Sequence, residues 1–120
     1  MSGPDLHPHN VVIDCADHAV VVSFWEAALG WTSHRMNDQF VALRAPADKA
    51  VGFDILFQQV PELKVGKNRA HIDFDVGDME AEVERLVGLG GLKIAEHSLG
   101  AFRRTVVADP EGNEFCVTIR

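Results

Sequence analysis

Asn10-Val-Val-Ile-Asp-Cys-Ala-Asp17 and His71-Ile-Asp-Phe-Asp-Val-Gly-Asp78 share one layout, and that layout decides the fold. Each is a short strand-like run that reaches Asp seven residues after its first polar residue. Each then leads into a helical pattern that stops at a Leu-Gly pair, Leu29-Gly30 and Leu89-Gly90. The first Leu lies 12 residues past its Asp and the second 11, so the two copies differ there by one residue. A repeat of this length implies two similar modules with a functional cleft where they meet.

Working outward, Val11 to Cys15 reads as a strand, and Asp17 caps the helix behind it by accepting a free backbone N–H at the positive end of the dipole. Val21, Phe24, Trp25, Ala28 and Leu29 recur at helical spacing, and Gly30 supplies the left-handed stop. Trp31 to Met36, Gln39 to Ala45 and Gly52 to Gln59 read as strands, with Pro46-Ala47-Asp48 as a turn. Ala70 to Val76 is the next strand. Asp78 caps a second helix whose apolar stripe is Met79, Val83, Leu86 and Val87, ended by Gly90-Gly91. Leu92 to His97, Phe102 to Ala108 and Glu114 to Ile119 complete the pattern. Residues 1–9, with Pro4 and Pro8, read as a loose arm. The expectation is an α+β fold of two βαβββ modules, residues 10–60 and 70–120, joined by a polar, turn-rich linker, 61–69.

Strand side chains alternate, so each strand offers one face to its helix and one away from it. The helix-facing sets are Val11, Ile13 and Cys15; Phe53, Ile55 and Phe57; Ile72, Phe74 and Val76; and Phe115, Val117 and Ile119. The opposite faces carry Asn10, Asp14, Asp54, Gln58, His71, Asp73, Asp75, Glu114 and Cys116. Two curled sheets would turn that inventory into a shared hollow; a plain solvated sheet face is the duller alternative.

The bulk properties narrow the function. At 120 residues and 47% apolar, the chain makes one domain with a real core. A net charge of −7 without a basic stripe argues against nucleic acid or an anionic membrane as partner. No run approaches a membrane span, and the first residues lack an apolar signal core. Cys15 and Cys116, far apart and in no Cys-x-x-Cys motif, fit free thiols in a reduced cytoplasmic protein.

Several residues invite chemistry. Asp73 and Asp75 would serve as general base or, equally, as ion-pair partners of Arg103 or Arg104. Cys116 reads as ligand, nucleophile or a small packed residue. Trp31 and Phe102 are the aromatics expected to line a pocket, with Asp14 beside them. Phe24 and Trp25 belong to the core stripe. The remaining histidines, His7, His9, His18, His34 and His97, are expected at the surface or in the arm. The Asp109-Pro-Glu-Gly-Asn113 turn reads as hairpin geometry.

Val11-Val-Ile-Asp-Cys-Ala-Asp17, Phe24-Trp25 with Leu29-Gly30-Trp31, His71-Ile-Asp-Phe-Asp and Asp109-Pro-Glu-Gly-Asn113 together resemble the vicinal oxygen chelate superfamily, which includes glyoxalases, extradiol dioxygenases and bleomycin-resistance-type binding proteins. The resemblance runs from Asn10 to the end and is nearest to small bacterial glyoxalase-like domains. It implies a half-open barrel and a homodimer. It also implies one divalent metal, zinc, nickel, iron or manganese, held by Asn10, Gln58, His71 and Cys116. His and Glu are usual where Asn10 and Cys116 stand, so Asp14, Asp73 or Glu114 are substitute donors. An enzyme of this kind would be a metal-dependent lyase or isomerase with Asp73 or Glu114 moving the proton. The other branch implies a metal-free protein that binds or sequesters a small, antibiotic-type molecule.

Overall fold

The computed structural model describes residues 3–49 and 51–120. Within them the chain runs β1 (Asn10–Cys15), α1 (His18–Leu29), β2 (Thr32–Arg35), β3 (Phe40–Arg44), a short 3-10 turn (Ala47–Lys49) and β4 (Asp54–Gln59). The second half repeats it as β5 (Asp73–Asp75), α2 (Met79–Gly88), β6 (Leu92–Leu99), β7 (Phe102–Ala108) and β8 (Glu114–Ile119). Each half folds its strands into one sheet of the same order, β1-β4-β3-β2 and β5-β8-β7-β6. In each, the first strand pairs parallel with the last, and the other pairings are antiparallel. The expected α+β architecture of two βαβββ modules is therefore present.

The helix ends follow from local chemistry. The Asp17 carboxylate accepts from the Ala19 N–H at 2.9 Å, and the Asp78 carboxylate accepts from the Ala81 N–H at 3.1 Å. Gly30 takes φ 69° while its N–H bonds the Glu26 carbonyl, the left-handed stop that only glycine makes without strain. The second helix ends two residues before the expected Gly90-Gly91 pair, at Gly88. Gly91 is needed for another reason: a Cβ there would lie 2.9 Å from the Leu86 carbonyl oxygen and 3.3 Å from Phe24 and Val107.

Side chains, not backbone, join the halves. No strand of one sheet pairs with the other. Instead Trp25 of α1 packs on Phe115 of β8 with ring centroids 4.7 Å apart and on Phe74 of β5 at 6.0 Å. Val21, Phe24, Leu43, Ile55, Phe57, Met79, Val107 and Val117 complete one continuous core.

Three expectations are corrected. β5 is shorter than residues 70–76, because only one backbone bond extends the pairing on either side, Cys116 N–H to Ile72 O and Val76 N–H to Thr118 O. Val87 faces solvent, because the helix turns it away from the sheet that Val83 and Leu86 cover. Cys116, expected on the polar side, is as buried as the core set.

Candidate functional site

The structure brings three of the expected residues together. His71 Nε2, Asp73 Oδ1 and Cys116 Sγ all lie within 4.8 Å of one another, with His71 and Asp73 3.2 Å apart. Parallel pairing places Asp73 level with Cys116, and His71 sits two residues earlier on the same face. The imidazole and carboxylate are partly open to solvent and the thiol is buried. Burial, then the Asp73 charge, pushes the Cys116 thiol up, against the opposing pull of the Arg104 guanidinium 3.9 Å from the sulfur. That environment favours the protonated thiol over the thiolate that a nucleophile or metal ligand needs.

The first module matches only His71, with Asn10. One repeat earlier, the positions equivalent to Asp73 and Cys116 are Val12 and Leu56, themselves level in β1 and β4. Gln58 is level with Asp14, and Asn10 with Asp54. Asn10 and Gln58 are thus four positions apart along the sheet, about 13 Å, against the roughly 4 Å that separates two ligands of one ion. The expected set of Asn10, Gln58, His71 and Cys116 does not close around a single ion. Alternation found the right face but not the level along it.

A cleft of about 640 Å³ lies between β1 and the segment 68–72, lined by Asp14, Asn68, Arg69, His71 and Glu114 over Trp25 and Phe115. His71 belongs to both cleft and cluster. Glu114, expected as a proton carrier, is already engaged. Its carboxylate accepts from the Asn68 N–H at 3.0 Å and pairs with Lys67 at 3.4 Å and Lys64 at 3.8 Å. The Asn68 N–H, with the two lysines, holds its carboxyl below the usual range. Asp75 is engaged by the Thr118 hydroxyl and Arg120, not by Arg103 or Arg104. Arg103 pairs with Glu80 and Glu96.

The aromatic expectations shift in the same way. Trp31 packs against the core, and Phe102 carries the Arg120 guanidinium 5.2 Å above its ring; neither is among the residues lining the cleft. His7, His9, His34 and His97 are exposed, and half-buried His18 lies 3.2 Å from the Phe57 carbonyl.

Sequence reasoning missed the role of the Asp109–Asn113 turn. Asp109 is buried and accepts from Trp25 Nε1, the Glu111 N–H and both the N–H and side-chain amide of Asn113. The Glu111 carboxylate accepts from the N–H groups of Ala16 and Asp17 at 2.6 and 2.7 Å. The turn is a clasp between modules as well as a hairpin. The Asp-Pro-Glu-Gly-Asn spelling was the available signal, but its partners lie about 90 residues away.

No helix among the described residues is long and apolar enough to cross a membrane. Residues 10–118 match the family described as a glyoxalase-like domain. No curated protein matches the chain. Among solved structures, the chain resembles a glyoxalase/bleomycin resistance protein/dioxygenase family enzyme from Burkholderia phytofirmans, at 19% identity and TM-score 0.75, covering 94% of this chain and 98% of that one. It also resembles the bleomycin-binding protein of Streptomyces verticillus complexed with copper(II)-bleomycin, at 19% identity and TM-score 0.66, covering 98% of this chain and 99% of that one. A glyoxalase-related enzyme from Fulvimarina pelagi aligns at 18% identity and TM-score 0.71, over 93% of this chain and 86% of that one. At these identities the likeness speaks to fold.

Proposed function

Because the chain belongs to the glyoxalase-like domain family, we propose that it binds a small organic molecule in the cleft between its modules, beside a single divalent ion held by His71, Asp73 and Cys116. The observation that carries the reading is the double membership of His71, which joins the three-donor cluster to the cleft wall. An imidazole, a carboxylate and a sulfur within 4.8 Å of one another suit a zinc-class ion better than a hard, oxygen-seeking one. When bound, such an ion would act as a Lewis acid on neighbouring oxygens of the ligand, the chemistry of a lyase or isomerase. Asp73, 3.2 Å from His71, is our candidate for the carboxylate that both holds the ion and moves a proton. Glu114 instead secures the linker.

Metal analysis of protein purified without chelator tests this. The expected result is one equivalent of zinc, lost in His71→Ala and weakened in Cys116→Ser. Absence of metal under every supplementation would leave the second reading, metal-free binding of a small molecule. That reading has its own support: Arg104 places a cation 3.9 Å from the Cys116 sulfur, and the first module offers Val12 and Leu56 where donors would stand. A homodimer in the reducing cytoplasm belongs to the same proposal. Cys15 and Cys116 are both buried and unpaired, and sedimentation velocity measures the assembly.

A further inference from the structure

The walls of the cleft carry opposite free charges. Near the end of β1, Glu111 of the β7–β8 turn is spent on Ala16 and Asp17, Asp109 of the same turn on Trp25 and the turn itself, and Asp17 on Ala19. Asp14 lines the cleft and has no hydrogen-bond or ion-pair partner among the described residues. Of these four carboxylates only Asp14 lines the cleft; the others stand close by, and the Cys15 thiol registers all four: burial first, then Glu111, Asp109, Asp14 and Asp17, push it up to about 11. On the facing wall, Arg69 likewise lacks a partner among the described residues, and it stands two residues from His71. Of the acids on that side, Glu114 is already matched by Lys64, Lys67 and Asn68, and Asp73 by His71 at 3.2 Å. The apolar lining between the walls is half-exposed Val12 with Val11 and Ile72, above the buried rings of Trp25 and Phe115. Unmatched charges facing a cleft with an apolar floor are the determinants a ligand satisfies.

We infer that the cleft accepts a zwitterionic small molecule, with an amine against Asp14, a carboxylate against Arg69, and an apolar body along Val11, Val12 and Ile72. The inference rests on the cleft reading above and adds the charge class of the ligand. A molecule with one charge leaves either Asp14 or Arg69 unanswered, and a neutral one leaves both.

The test is an NMR titration of the isotope-labelled full chain with matched probes. L-Phenylalanine is compared with hydrocinnamate, phenethylamine and phenethyl alcohol; L-leucine with isocaproate, isoamylamine and isoamyl alcohol. The amino acids are expected to shift the amides of Val11 to Asp14 and Asn68 to Ile72, and to bind at least about tenfold tighter than their singly charged counterparts, as one charge-assisted hydrogen bond would give. Asp14→Asn should erase the advantage of the amine alone, and Arg69→Gln that of the carboxylate alone. If the alcohols shift the cleft amides as strongly as the amino acids, or either substitution leaves the preference intact, the charge assignment is overturned while the cleft stands. If no probe, alcohols included, shifts those amides, the cleft reading falls and this inference with it.

Discussion

The indole N–H of Trp25 donates to Asp109 Oδ2 at 2.9 Å across the boundary between the two modules. Trp25 is 2% exposed and Asp109 3%, so this bond replaces water for both. A buried carboxylate without donors is costly, and here every donor comes from one tryptophan and one turn.

Trp25→Phe keeps most of the ring and removes the donor. We expect a loss of about 2 kcal/mol, the range for a hydrogen bond to a charged group with its partner left buried. Asp109→Ala should cost about 3 kcal/mol or more, since it orphans several donors at once. Urea unfolding followed by circular dichroism measures both; a Trp25→Phe protein as stable as wild type would show that this bond adds nothing to the joint between the modules.

Gly91→Ala and Gly88→Ala should move stability in opposite directions. The added methyl at residue 91 meets the Leu86 carbonyl at 2.9 Å, with Phe24 and Val107 at 3.3 Å, and overpacking of this kind costs about 1–3 kcal/mol. At residue 88, the last of α2, nothing lies within 4 Å, and alanine should add about 0.5–1 kcal/mol. Thermal unfolding of the pair would refute the packing argument if both shifts had the same sign.

At acid pH the surface pairs release their protective charge. Asp75 is held low by the Thr118 hydroxyl and then Arg120, Glu80 by Arg103, and Glu96 by Arg103 and then Lys93. A carboxyl with a depressed folded pKa contributes stability above its ordinary value, 3.8 for Asp and 4.5 for Glu, and loses it as the pH falls further. The urea midpoint should therefore drop below about pH 4.5, and less steeply in Arg103→Gln.

At alkaline pH the sign reverses. Cys15 is raised from 9.0 to about 11, so its contribution is full below pH 9 and is lost as the pH climbs toward 11. The chain has no tyrosine to titrate in that window. Cys15→Ala, though less stable at neutrality, should show a shallower loss between those limits. A parallel slope would mean that the thiol does not ionise on unfolding.

Glu114→Ala should free the linker. Amide exchange at Asn68 is expected to quicken by about tenfold, equivalent to one lost charge-assisted hydrogen bond, while the β7–β8 amides keep their protection. Unchanged exchange at Asn68 would place the linker's anchor elsewhere.

The sequence carried the architecture because its signals are local. Asp17 and Asp78 cap helices, Gly30 stops one, and alternation sorts Val11 and Ile13 from Asn10 and Asp14. What it could not carry were distances between strands. His71 and Asp73 were legible as near neighbours on one face. That Cys116 is level with Asp73, while Gln58 is level with Asp14, is a matter of register between strands more than 40 residues apart. The same limit hid the commitments of Glu114, Glu111 and Asp109, whose partners are remote in the chain. Val87 misled because helical period fits it beside Leu86 and Val83, while the helix in place turns it to solvent.

The two sheets share aromatic rings but no ladder of backbone bonds. Each half can therefore drift in sequence on its inward side without unpicking the pairing of its twin. What a change in one half must spare, if the other is to stay docked, is the indole, the buried acid, the rings between them and the Glu111 clasp.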